Sequence, residues 1–127
     1  MPLTTSGAQF LAKAATGLNS PTLFNSSNAY VGVGDSATAF AIAQTDLQAS
    51  SNKLRKLVTS INESAGVVTA VATYATNEAN FEWVEWGVAN ASSGGTLLGR
   101  KVESPTLGTK VNTQVWTLSS TVTFAAS

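Results

Sequence analysis

The 127-residue sequence contains no cysteine and no histidine. Disulfide frameworks, thiolate nucleophiles, zinc sites built on Cys or His, and catalytic triads that need an imidazole base are therefore excluded. Charge is scarce too: seven basic and seven acidic side chains, 11% of the chain, cancel to zero. So thin an electrostatic footprint favours neither a nucleic-acid backbone nor an anionic membrane as partner. No apolar run approaches the ~20 residues of a membrane span, and Met1 to Phe10 has neither the basic start nor the apolar core of a signal peptide. The expectation is a protein made in a cytoplasm, without cofactor or metal.

Ser, Thr, Asn and Ala fill the space that charge leaves. Such side chains lose little rotamer entropy when ordered, which suits lasting association. A chain of this length buries roughly two-thirds of its unfolded surface as one domain. Ser6 followed by Gln9 reads as a capping box for a short helix whose apolar stripe is Phe10, Leu11, Ala14 and Ala15, stopped by Gly17. Asn19, Ser20 and Pro21 then mark a turn, so residues 1–28 are expected to form a helix and arm. That arm is poorly suited to nucleating a core alone and is expected to lie on a partner.

Residues 29–127 are expected to form an antiparallel β domain. Strand candidates are Ala29–Val33, Leu54–Ile61, Val67–Thr76, Phe81–Ala89, Leu97–Glu103 and Gln114–Phe124, rich in Val, Thr and aromatics. Gln44–Ser50 reads as a helical turn or two. Links as short as ESAG and NASSGG close hairpins but are too short for parallel crossovers, which predicts a sandwich or barrel.

The stretch ANFEWVEWGVANASSGGTLLGRK concentrates the candidate chemistry. On a continuous strand Phe81, Trp83, Glu85 and Gly87 share one face, and Glu82, Val84, Trp86 and Val88 the other. The tryptophans then point apart, which disfavours a sugar platform made from both and predicts Trp83 in the core and Trp86 on a neighbouring element or subunit. The two glutamates diverge as well, removing the paired-carboxylate geometry of a glycosidase. Glu85 beside Trp83 calls for a partner if buried, with Arg100 or Lys101 on the return strand as candidates and stacking of Arg100 on Trp86 a second option. An exposed, unpaired Glu85 is the plain alternative. ASSGG is expected to be a mobile tip.

Two patterns are set aside. Gly32, Gly34 and Ala37 fit the G-x-G-x-x-A spacing, but the dinucleotide fingerprint needs a βαβ unit and an acidic residue about 20 positions on, whereas Lys53, Arg55 and Lys56 and antiparallel strands follow. The basic cluster itself reads as a solvated strand face.

Taken in order, YVGVGDSATA, TDLQA, LRKLVTS, GVVTAVATYATNEANFEWVEWGVAN, GGTLLGRKV and VWTLSSTVTF resemble small virion proteins and modules of tailed bacteriophages, over roughly Tyr30 to Phe124. The resemblance maps onto Gly32, Gly34, Leu47, Arg55, Glu85, Gly87, Leu98 and Arg100 and implies architectural roles for them. Trp86 stands where that group commonly has a smaller aliphatic. The resemblance implies a non-enzymatic virion component: a head decoration protein that binds the major capsid protein as a homotrimer, or a tail-fibre or baseplate subunit. Phe10, Leu11, Trp86 and Trp116 are the expected interface residues. A carbohydrate-binding module using Trp86, Trp116 or Tyr30 is the remaining alternative.

Overall fold

In the computed structural model, which describes residues 1–124, the N-terminal segment runs extended before it becomes helical. Thr4 N–H donates to Leu98 O at 3.1 Å, and its hydroxyl donates to Leu97 O while accepting from Gly7 N–H at 2.9 Å. Thr4, extended and bonded to the Leu97–Leu98 backbone, is thereby also the N-cap of helix α1 (Thr5–Thr16), two positions earlier than the Ser6 signal suggested. The expected stop holds: Gly17 takes a left-handed conformation, φ 69°, and its N–H bonds Lys13 O.

The arm packs on the β domain of its own chain. Gly7 sits so close to the Leu98 backbone that a Cβ would overlap the carbonyl, and Phe10 is buried edge-on against Phe24 with ring centroids 4.8 Å apart. Leu3 bridges Gly99, so the arm also covers part of one sheet edge. Helix, arm and strands form a single unit.

The body is mainly β. Strands β1 (Tyr30–Gly34), β2 (Lys53–Leu57), β6 (Glu85–Ala89) and β7 (Leu97–Val102) make a four-stranded antiparallel sheet in the order β2-β1-β6-β7. A second antiparallel sheet, β3-β4-β9, contains β3 (Ser60–Ser64), β4 (Val67–Tyr74) and β9 (Trp116–Thr123). A short pair, β5 (Glu82–Trp83) with β8 (Gly108–Thr109), closes one end. The two sheets pack as the expected sandwich. Residues 125–127 of the expected β domain lie outside the described residues.

Two strands that read as continuous are broken where the chain changes sheets. Leu54–Ile61 divides at Val58, whose N–H bonds Ala29 O beside the first sheet, and Thr59, whose N–H bonds Val71 O in the second. Phe81–Ala89 divides at Val84, whose N–H bonds Gly34 O and whose carbonyl accepts from Glu103 N–H. The β3–β4 hairpin turns on Ala65 and Gly66, both at positive φ (51° and 81°), as a two-residue primed turn requires.

Between the sheets, Val31, Val33, Ala70, Ala72, Tyr74, Trp83 and Trp86 form one buried cluster. Trp83 packs edge-on against Tyr74 and Trp116 at 4.9 Å each, and its indole N–H donates to Ala79 O at 3.0 Å. Tyr74 donates its hydroxyl proton to Val31 O at 2.6 Å, tying the sheets together. Burial, and the nearby charge of Glu78, push its phenol pKa well up.

Candidate functional site

The residues that stood out in the sequence converge on the face of the four-stranded sheet that points away from the second sheet. Register explains how. Gly32 is paired with Arg55 on one side and Gly87 on the other, and Gly87 is paired with Arg100, so one row crosses the sheet as Arg55, Gly32, Gly87, Arg100. The next row places Lys53, Gly34, Glu85 and Val102 side by side. The glycines leave a shallow pad in the middle. The segment between β1 and β2 folds back over that pad and brings Leu47 down onto it: a Cβ at Gly32 would lie 2.9 Å from Leu47 Cδ1, and one at Gly87 3.5 Å from its Cδ2.

Glu85 fastens this covering segment. Oε1 accepts from Gln48 N–H at 2.7 Å and Oε2 from Ala49 N–H at 2.8 Å. Arg100 Nε donates to Oε1 at 2.6 Å and its Nη1 to Gln44 Oε1 at 3.1 Å. Glu85 and Arg100 are both fully buried. Gly34 is required because the Glu85 carboxylate occupies the space a Cβ would fill. A carboxylate so enclosed, with donors on both oxygens, holds backbone; it has no path to a substrate proton.

Arg55 performs the second fastening. Nη2 donates to Asp46 Oδ1 at 3.1 Å, and Nη1 to Ala91 O and Gly94 O at 2.9 and 2.8 Å. Lys53 reaches Asp46 Oδ2 at 3.0 Å. Partial burial raises the Asp46 pKa, but the hydrogen bonds from Lys53 and Leu47 N–H and the charges of Arg55 and Lys53 outweigh it, holding the carboxyl below its ordinary range. Lys56 pairs with Glu78 at 2.7 Å. The basic cluster is engaged in ion pairs, with Lys53 and Lys56 still partly exposed and the Arg55 side chain buried. The tip expected to be mobile is tied by Arg55 from one side and by Asn90 from the other, whose Oδ1 accepts from Thr96 N–H at 2.7 Å.

Arg100 reaches Glu85 diagonally across β6 and β7, as expected of a buried pair; Lys101 bonds Glu103 instead. Glu82 is exposed and takes a hydrogen bond from Thr106, so the two glutamates do diverge. Gln44–Ser50 is irregular and not helical, because Gln48 and Ala49 direct their N–H groups at Glu85 and not along a helix axis. Gly32 and Gly34 belong to a strand that no helix follows among the described residues, which removes the dinucleotide reading.

The expected interface residues fare differently. Phe10 and Trp86 are buried within the chain, Trp86 covering the second sheet and donating its indole N–H to Glu103 at 3.0 Å. Trp116 is half-buried against Trp83, and Leu11 is half-buried on α1. Sequence reasoning missed Lys110, which is 1% exposed and donates Nζ to Ala75 O and Asn80 Oδ1 at 2.7 and 2.8 Å. It holds the 75–80 turn as a bound cation would. A lysine in the unpatterned run after Gly108 carried no signal of that role.

Among the described residues no group of three His, Cys, Asp or Glu side chains is placed to hold a metal, and no helix is long and apolar enough to cross a membrane. The described residues line open grooves of about 300 Å³ between α1 and the 90–96 tip and about 380 Å³ beside Asp46 and Arg55. No protein-family model matches the chain, and no curated protein matches it.

Proposed function

We propose that this chain is a structural component of a bacteriophage virion, a decoration protein that binds the outside of the capsid as a homotrimer and reinforces it without catalysis. One observation carries the reading. Seven of the residues on which the sequence resembles phage virion proteins, Gly32, Gly34, Leu47, Arg55, Glu85, Gly87 and Arg100, meet in one locked assembly. The eighth, Leu98, receives the N-terminal arm. All of them hold backbone in place, and no reactive group among them is left facing solvent. A neutral surface also suits a protein packed in many copies on one shell, where net charge would be penalised by mutual repulsion.

Carbohydrate binding is weakened by the placement of its aromatics. Trp86 is buried, Trp116 faces the space between the sheets, and Tyr30 shares the parity of Gly32 on the opposite side of the sandwich. The test is cosedimentation of the purified chain with capsids assembled without it. Saturable binding that raises the temperature of capsid disruption is expected. Failure to bind capsids, or binding confined to tails, overturns the decoration reading, the second outcome in favour of a tail-fibre or baseplate subunit.

A further inference from the structure

The four lateral edges of the two sheets are unequally protected. β2 carries Lys53, Arg55 and Lys56, β7 is bridged by Leu3, and β3 is five residues long with Glu63 within it. Each is a recognised way of preventing edge-to-edge pairing. β9 has none of them: WTLSSTVT runs eight residues without a charge, a proline or a bulge.

Its unpaired groups can be identified from the register. Phe124 N–H bonds Gly66 O, so the even-numbered residues of β9 turn their backbone groups toward β4. The N–H and C=O of Thr117, Ser119, Thr121 and Thr123 therefore point out of the sheet edge, with no protein partner among the described residues. The same four side chains are exposed and are all hydroxyl-bearing. A second, independent observation falls on this strand: Ser120 Oγ is buried and has no hydrogen-bond partner among the described residues.

We propose that β9 pairs antiparallel with β9 of a second copy of this chain about a two-fold axis at Ser120, joining two three-stranded sheets into one of six. The register that engages all the free backbone groups sets Thr117 opposite Thr123 and Ser119 opposite Thr121 of the second copy. It also places Ser120 opposite Ser120 as a non-hydrogen-bonded pair, the closer kind, where the two hydroxyls become each other's partner. A two-fold contact brings a strand against itself, so a charged strand would set like charges against each other; β9 is free of charge. The proposal stands apart from the virion reading. If the chain is trimeric through another surface, the β9 contact links trimers in pairs.

Light-scattering mass measurement and native mass spectrometry test it with two exposed double variants, Ser119→Lys/Thr121→Lys and Ser119→Asp/Thr121→Asp, each checked for a native circular-dichroism spectrum. Each variant alone should show half the wild-type mass, because like charges face each other across the axis. An equimolar mixture should regain the wild-type mass as a mixed species, because lysines then face aspartates. A wild-type mass equal to that of the lysine variant, or a mixture that fails to associate, overturns the proposal.

Discussion

Arg100 Nε lies 2.6 Å from Glu85 Oε1, and neither side chain is exposed to solvent. Removing one member of such a pair leaves a buried charge uncompensated, which costs about 3–5 kcal/mol. Glu85→Gln and Arg100→Met are each expected to fall in that range in urea denaturation, and the double variant to lose much less than their sum. Additive losses would mean that the two groups are energetically independent despite their contact.

Glycine substitutions on the pad should differ according to what a new Cβ meets. At Gly34 it meets a carboxylate fixed by three donors, whereas at Gly32 the nearest atom is the end of the Leu47 side chain, which has room to turn. Gly34→Ala should cost about 3 kcal/mol and Gly32→Ala about 1 kcal/mol, the upper and lower ends of overpacking. Equal losses in thermal denaturation would show that the Glu85 clasp yields as easily as a leucine.

Trp83→Ala should cost about 3–5 kcal/mol, because a large aromatic only 2% exposed is removed from between two edge-on rings. Trp116→Ala should cost less, its ring being only half-buried. Unchanged thermal stability of the Trp83 variant would contradict its place at the centre of the core.

The Trp83 position was legible in the sequence, since aromatic and β-branched alternation marks a buried strand face. The Glu85–Arg100 pair was named from the sequence, but on a face assignment the structure corrects. Because the strand breaks at Val84, Trp83 and Trp86 do not point apart but both enter the core cluster, and Glu85 lies on the other face of the sheet, not beside Trp83. The breaks at Thr59 and Val84 were not legible. Both lie in runs of good strand formers, and what ends the strands there is pairing with partners distant in the chain, Val71 and Glu103. The glycines raised a dinucleotide-fingerprint pattern because spacing records only where side chains are absent. Their cause is what fills the space, Leu47 and the Glu85 carboxylate, and that required the covering segment to be seen in place.

Acid should weaken the fold through three carboxylates with depressed pKa values. Glu78 is held down first by the hydrogen bond from Lys56, Glu103 first by that from the Trp86 indole; at Asp46 the Lys53, Leu47 and Arg55 interactions exceed the opposing effect of burial. A carboxyl with a lower pKa in the folded chain adds stability that is fully present above its unfolded value, about 4. That contribution is lost as pH falls from there through the folded value. Denaturation midpoints should therefore drop below about pH 4, and Glu103→Gln should flatten the fall. A midpoint that rises on acidification would reverse the assigned sign.

Quantitative mass spectrometry of purified phage particles tests the proposed function most directly. A capsid decoration protein should be present in a copy number comparable to that of the major capsid protein, and should be lost from the head when stripped particles are re-examined. Absence from particles, or a few copies that fractionate with tails, would contradict it.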